Sequence, residues 1–185
     1  CIRDRLHNRH TEILIVSSGA VAIGSTYLKK KRLHMNLNEM QAAAAMGQAQ
    51  LVMERQDSFK SSGINTAQIL LTRSDTENKK RFLNSKDTLL TLIKYNVIPI
   101  INENDTVATE ELKYGDNDRL AARVAQMTSA DLLILLSDVD GMYTSNPKTN
   151  QTAKHIPVIE NLNQEIFSMA DTADSNYGSG GMITK

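Results

Sequence analysis

The chain has 185 residues, 41% of them hydrophobic and 23% charged, enough to bury a core within one soluble domain. Lys plus Arg equals Asp plus Glu at 21 each, so there is no basic excess of the kind that neutralises nucleic-acid phosphates, and no Trp to add to a base-stacking platform. The apolar runs are far shorter than a bilayer span, residues 1–10 are too polar for a signal peptide, and Cys1 is the single cysteine, which excludes an internal disulfide and points to the cytosol.

In chain order, residues 2–9 read as the tail of a charged helix. Four short apolar runs then read as strands: Ile13 to Val16, Ala67 to Leu71, Val97 to Ile101 and Leu132 to Leu136. Each is continuous rather than alternating, which suits strands buried on both faces of a parallel sheet. Pro99 is the exception, because a proline cannot donate to a ladder, and it implies an edge or a bulge. Between the runs lie helical stretches at Asn38 to Ser61, with Gly63 as its C-cap, at Asn78 to Tyr95, and at Arg119 to Met127, where Leu120, Val124 and Met127 share one face. Strands alternating with helices predict βαβ units and a layered α/β domain. Ser145 to Thr152 is the most loop-like stretch. The histidines are scattered and form no zinc pattern, and the methionines read as core filler.

Ligands of such sheets bind at the carboxyl ends of the strands, so the residues after each run are the candidates. Ser17, Ser18 and Gly19 form a strand-to-helix turn. It suits an anion approaching backbone amides, and it reads equally as a serine-capped helix start. Asn102 to Asp105 and Gly115 to Asp118 are dense polar clusters that suit a cation or the ammonium of an amino acid. Each taken singly reads as turn chemistry, with Asn117 or Asp118 capping the next helix. Two of them bracketing Thr106 to Tyr114, a stretch with few core anchors, favour a binding site. Asp138, after the fourth run, suits orienting a lysine or holding Mg²⁺ through water. The run Gly178, Ser179, Gly180, Gly181, Met182, Ile183, Thr184, Lys185 suits an amide nest around phosphate, with Thr184 and Lys185 reaching the same group. Its alternative reading is a flexible connector.

Taken together, VSSGA at Val16 to Ala20, QAAAAMGQ at Gln41 to Gln48, QILLTRSD at Gln68 to Asp75, RFLNSKDTL at Arg81 to Leu89, VIPIINENDTVAT at Val97 to Thr109, YGDNDRLAARVA at Tyr114 to Ala125, LLILLSDVDGMY at Leu132 to Tyr143 and GSGGMITK at Gly178 to Lys185 resemble the glutamate 5-kinase branch of the amino acid kinase family. The resemblance covers the whole chain. It implies a three-layer αβα sandwich with a mainly parallel sheet of the carbamate kinase type. It also implies one domain over residues 1–185 cut at both ends, lacking a first strand with a second lysine and the C-terminal nucleotide-binding segment. The implied reaction is ATP-dependent phosphorylation of the γ-carboxylate of L-glutamate, the first step towards proline, in a cytoplasmic homo-oligomer. The implied partners are glutamate, ATP with Mg²⁺, and proline as feedback inhibitor, without membrane or nucleic acid. The substrate residues would be Ser18, Gly19, Asn102, Asp105, Asn117 and Asp118. The ATP residues would be Ser137, Asp138, Gly178, Ser179, Gly180, Gly181, Met182, Thr184 and Lys185, with Lys185 and Asp138 catalytic and no resident metal.

A carboxylate nucleophile, with a pKa of about 4.3, is already ionised at neutral pH and needs no general base. The site has only to align two anions and offset their repulsion. The competing readings are a kinase for another small acid, and a regulatory module that senses an amino acid without turnover. The second has no need of Asp138 and Lys185.

Overall fold

The computed structural model describes residues 11–109, 116–137, 139–171 and 182. They fall into two compact units, residues 1–130 and 131–185. The expected charged helix at residues 2–9 lies outside the described residues.

The first unit carries β1 (Ile15–Val16), α1 (Ala20–Tyr27), a 3₁₀ turn (Arg32–His34), α2 (Leu37–Lys60), β2 (Asn65–Leu71), α3 (Arg73–Glu77), α4 (Lys79–Lys94), β3 (Val97–Glu103) and α5 (Asn117–Thr128). The three strands form one parallel sheet in the order β1-β3-β2. Alternation along β3 sends side chains to opposite faces. Ile98 and Ile100 meet Phe59 of α2 and Ile64, while Ile101 meets Leu89 of α4 and Leu120, Val124 and Met127 of α5. The sheet is therefore covered by helices on both faces, the layered α/β arrangement that the order of elements predicts.

Local chemistry sets the helix bounds. Asn36 begins α2 with a reciprocal cap: its Oδ1 accepts from the Glu39 amide at 2.9 Å, and its own N–H donates to the Glu39 carboxylate at 2.9 Å. The Lys30 ammonium donates to both Glu39 oxygens at 2.7 Å, and these bonds hold the Glu39 carboxyl below its ordinary pKa. Gly63, with φ +67°, closes the other end of α2, its amide donating to the Lys60 carbonyl. Asn78 caps α4 by accepting from the amides of Lys80 and Arg81.

Helices α1 and α2 cross at glycines. A β-carbon on Gly24 would stand 1.8 Å from the Ala43 carbonyl oxygen, and one on Gly47 would stand 1.8 Å from that of Ala20. Only hydrogen fits at either point, so this contact fixes where α1 begins relative to the sheet.

Two expectations change. Pro99 is fully buried in the central strand rather than at an edge or bulge. The Ser17 amide donates to the Ile101 carbonyl at 2.9 Å, so Ile101, and by alternation Pro99, face β1. β1 pairs only with Ile100 and Ile101, so the ladder starts past the position where Pro99 lacks its donor. The run Leu132 to Leu136, expected as a buried strand, has no regular structure, and Leu132 and Leu136 are 73% and 90% exposed. An apolar run becomes a strand only where a neighbour completes its hydrogen bonds, and no described residue pairs with this one.

The second unit contains β4 (Met142–Tyr143) antiparallel to β5 (His155–Ile156), and α6 (Gln164–Asp171). The loop between the strands turns on Asn146 and Asn150, whose side chains accept from the amides of Lys148 and Thr152, in the stretch expected to be a loop. Tyr143 stacks at a tilt on His155 with ring centroids 5.2 Å apart. Its hydroxyl donates to Asp140, which pushes the Tyr143 pKa up.

Candidate functional site

At the carboxyl end of β1, Ser17 is buried and Ser18 is exposed. The residue before α1 is Gly19, at φ +120°, and no side chain caps the helix. The serine-cap reading is therefore set aside. Ser17 instead accepts a hydrogen bond from the Arg55 guanidinium at 3.3 Å, and the first amides of α1 are left without a side-chain acceptor of their own. A left-handed glycine opening onto uncapped amides is a backbone arrangement that suits an anion.

At the carboxyl end of β3, the structure brings the two polar clusters together. Asn102 is 2% exposed. Its Oδ1 accepts from the Glu103 amide at 2.8 Å and from Asn117 Nδ2 at 2.8 Å, while its Nδ2 donates to Gln48 Oε1 at 2.7 Å. One buried amide thus ties β3 to the first residue of α5 and to the middle of α2. The cap of α5 is Asp116, whose Oδ1 accepts from the Asp118 amide at 2.9 Å, not Asn117 or Asp118. Asn117 is thereby released from capping and turned towards Asn102. Asp105 and Asp118 are both half-buried beside these groups in sequence.

The segment between the clusters is better anchored than its sequence suggests. Ala108 is fully buried, and its carbonyl accepts from Gln41 Nε2 at 3.3 Å. Residues 110–115 lie outside the described residues, as do Asp138, Gly178 to Gly181, Thr184 and Lys185. Ser137 is exposed, and Met182 is half-buried. Gln41 and Gln48 bound the motif QAAAAMGQ but took no role from it, and Arg55 lies outside every motif. The signal available was their spacing: Gln41, Gln48 and Arg55 recur every seven residues along one face of α2.

Among the described residues no helix is long and apolar enough to cross a membrane.

A parallel sheet flanked by helices, with buried amides and half-buried carboxylates at the carboxyl end of its central strand, defines a layered α/β domain of the kind whose ligands sit at the strand ends. The chain belongs to the amino acid kinase family, whose sequence profile matches residues 3–185. It is similar to the glutamate 5-kinase of Bartonella henselae, 52% identical over 180 residues that make up 97% of this chain and 48% of that protein. It is 51% identical over 181 residues to that of a Bradyrhizobium species, covering 98% of this chain and 48% of the relative. It is 53% identical over 176 residues to that of Caulobacter vibrioides, covering 94% and 47%. The chain spans about half the length of the curated relatives it matches.

Proposed function

We propose that this chain is the central part of a glutamate 5-kinase, which transfers the γ-phosphoryl group of ATP to the γ-carboxylate of L-glutamate. The observation that carries the reading is the Asn102 junction, which joins two polar clusters at a strand end, together with identities near half to proteins named for this activity. In this reading Asp105 and Asp118 bind the substrate ammonium, Asn102 and Asn117 supply amide contacts, and the Ser18–Gly19 turn receives a carboxylate. The nucleotide enters as its Mg²⁺ complex. Ser137, Asp138 and the loop from Gly178 to Lys185 bind it, and Lys185 offsets the charge that develops on the transferred group.

The attacking carboxylate is ionised at neutral pH, so alignment and charge compensation supply the catalysis. The product is an acyl phosphate, which a reductase consumes on the way to proline. Proline carries the same α-ammonium and α-carboxylate as glutamate, so feedback inhibition through this site follows. The enzyme is assigned to the cytosol and to a homo-oligomer.

The test is a phosphorylation assay on the full-length protein, with hydroxylamine trapping the acyl phosphate, across glutamate, aspartate, N-acetylglutamate, carbamate and UMP. Glutamate-dependent hydroxamate formation well above the others supports the reading. Preference for another acid, or nucleotide binding with no turnover of any acceptor, rejects it.

A further inference from the structure

The polarity of the amide relay is fixed by one atom. A backbone N–H can only donate, so the Glu103 amide requires the Asn102 oxygen to face it. Asn102 must then present its NH₂ to Gln48, and Gln48 must answer with its oxygen. The consequence is a stranded donor: Gln48 is 8% exposed, and its Nε2 has no hydrogen-bond partner among the described residues. At the other end, Asn117 gives its NH₂ to Asn102, so its oxygen faces away from the relay as an acceptor. A buried donor left unpaired is costly, and native proteins keep one chiefly where something else fills the need.

We propose that Gln48 is a substrate residue, whose Nε2 donates to the α-carboxylate of the bound amino acid. The inference rests on the functional reading above and deepens it. A neutral donor at Gln48 and a neutral acceptor at Asn117 together match an α-amino acid head group, one taking carboxylate oxygen and the other ammonium hydrogen. The relay through Asn102 holds both amides in the orientation that this requires. A flip of Gln48 would set its NH₂ against that of Asn102, and a flip of Asn117 would set its oxygen against that of Asn102. Gln48 therefore contributes specificity for the head group and no chemistry at the γ-carboxylate.

The experiment compares glutamate with 4-aminobutyrate, which keeps the phosphorylatable carboxylate and the ammonium but lacks the α-carboxylate. On the full-length protein, Gln48→Met removes the donor without adding charge. Gln48→Glu removes the donor and retains the oxygen that Asn102 needs. In both variants the ratio of kcat/KM for glutamate to that for 4-aminobutyrate should fall by about 10–100-fold, mainly through glutamate KM, with ATP KM unchanged. A Gln48→Glu variant with the wild-type ratio and wild-type KM values would show that only the oxygen matters, and would overturn the inference while leaving the functional reading intact. Equal losses for both acceptors and for ATP would likewise reduce Gln48 to scaffolding. If Gln48→Met does not fold, the Gln48→Glu ratio decides alone. A wild-type protein that does not phosphorylate glutamate would remove the functional reading, and this inference with it.

Discussion

Asp75 shows how much a single carboxylate does in this fold. It stands in the first turn of α3, straight after β2, where its Oδ2 accepts from the Thr72 amide at 2.7 Å and from the Thr72 hydroxyl at 2.6 Å, and its Oδ1 accepts from Arg81 at 3.3 Å. Burial acts to raise its pKa, but the two Thr72 bonds and the Arg81 charge outweigh it and hold the carboxyl below its ordinary 3.8. A group depressed in the folded state adds stability that is present above the unfolded pKa and disappears as pH falls through the folded one. Asp75→Asn should therefore lower Tm at neutral pH, by a contribution of about 1 kcal/mol typical of a lost cap. The gap from wild type should close as pH is taken below ~4. Thermal melts at a series of pH values check this; a gap that stays constant into acid would mean that the carboxylate charge is not involved. Legibility at this scale was uneven. Asn102 could be picked out because it stands at the end of a buried strand, and Asn117 because it lies in a second polar cluster bracketing the same segment. Gln48 could not, because nothing in QAAAAMGQ distinguishes a glutamine aimed at a strand end 54 positions later from one in water.

At the scale of elements, the apolar periodicity and caps were enough to place α2, α4 and α5 within two residues, since each depends on local signals such as Asn36, Gly63 and Asn78. Pro99 and Leu132 to Leu136 were misread for the same reason: whether an extended run pairs is decided by its neighbours, which sequence order does not reveal. The α1–α2 crossing was equally hidden, because Gly24 and Gly47 look like tolerated helix glycines until the backbones meet. Gly47→Ala should cost about 1–3 kcal/mol, or several degrees of Tm, since the added carbon can be accommodated only by parting the helices. Glutamate KM should rise as well, because α1 carries the Ser18–Gly19 turn. Calorimetry with steady-state kinetics tests the pair of effects, and a variant as stable as wild type would show that the crossing relaxes freely. The segment joining β3 to α5 makes a separate prediction. Ala108 pins it through Gln41, while Thr106 is exposed beside it. Substitution of Thr106 should change the proline concentration for half inhibition more than it changes kcat. Inhibition at several glutamate concentrations is the readout, and inhibition that added glutamate cannot relieve would place proline at a separate site.

For the molecule as a whole, the reading divides labour along the chain. In the proposed function, the strand ends and residues up to Asp118 are given the amino acid, and residues from Ser137 onward the nucleotide. The clusters after β1 and β3 were legible as motif order because a parallel sheet delivers every strand's carboxyl end to one side. The junction at Asn102 was not, because it depends on which helix the β3 end meets. Asp105 tests the division most directly. Asp105→Asn preserves shape and removes the charge proposed to hold the substrate ammonium. Steady-state kinetics on the full-length protein should show glutamate KM raised by about tenfold or more, the scale of one lost charge-assisted hydrogen bond, with ATP KM within about twofold and Tm little changed. Equal increases in both KM values, or a loss of stability with no selective effect on glutamate, would contradict it.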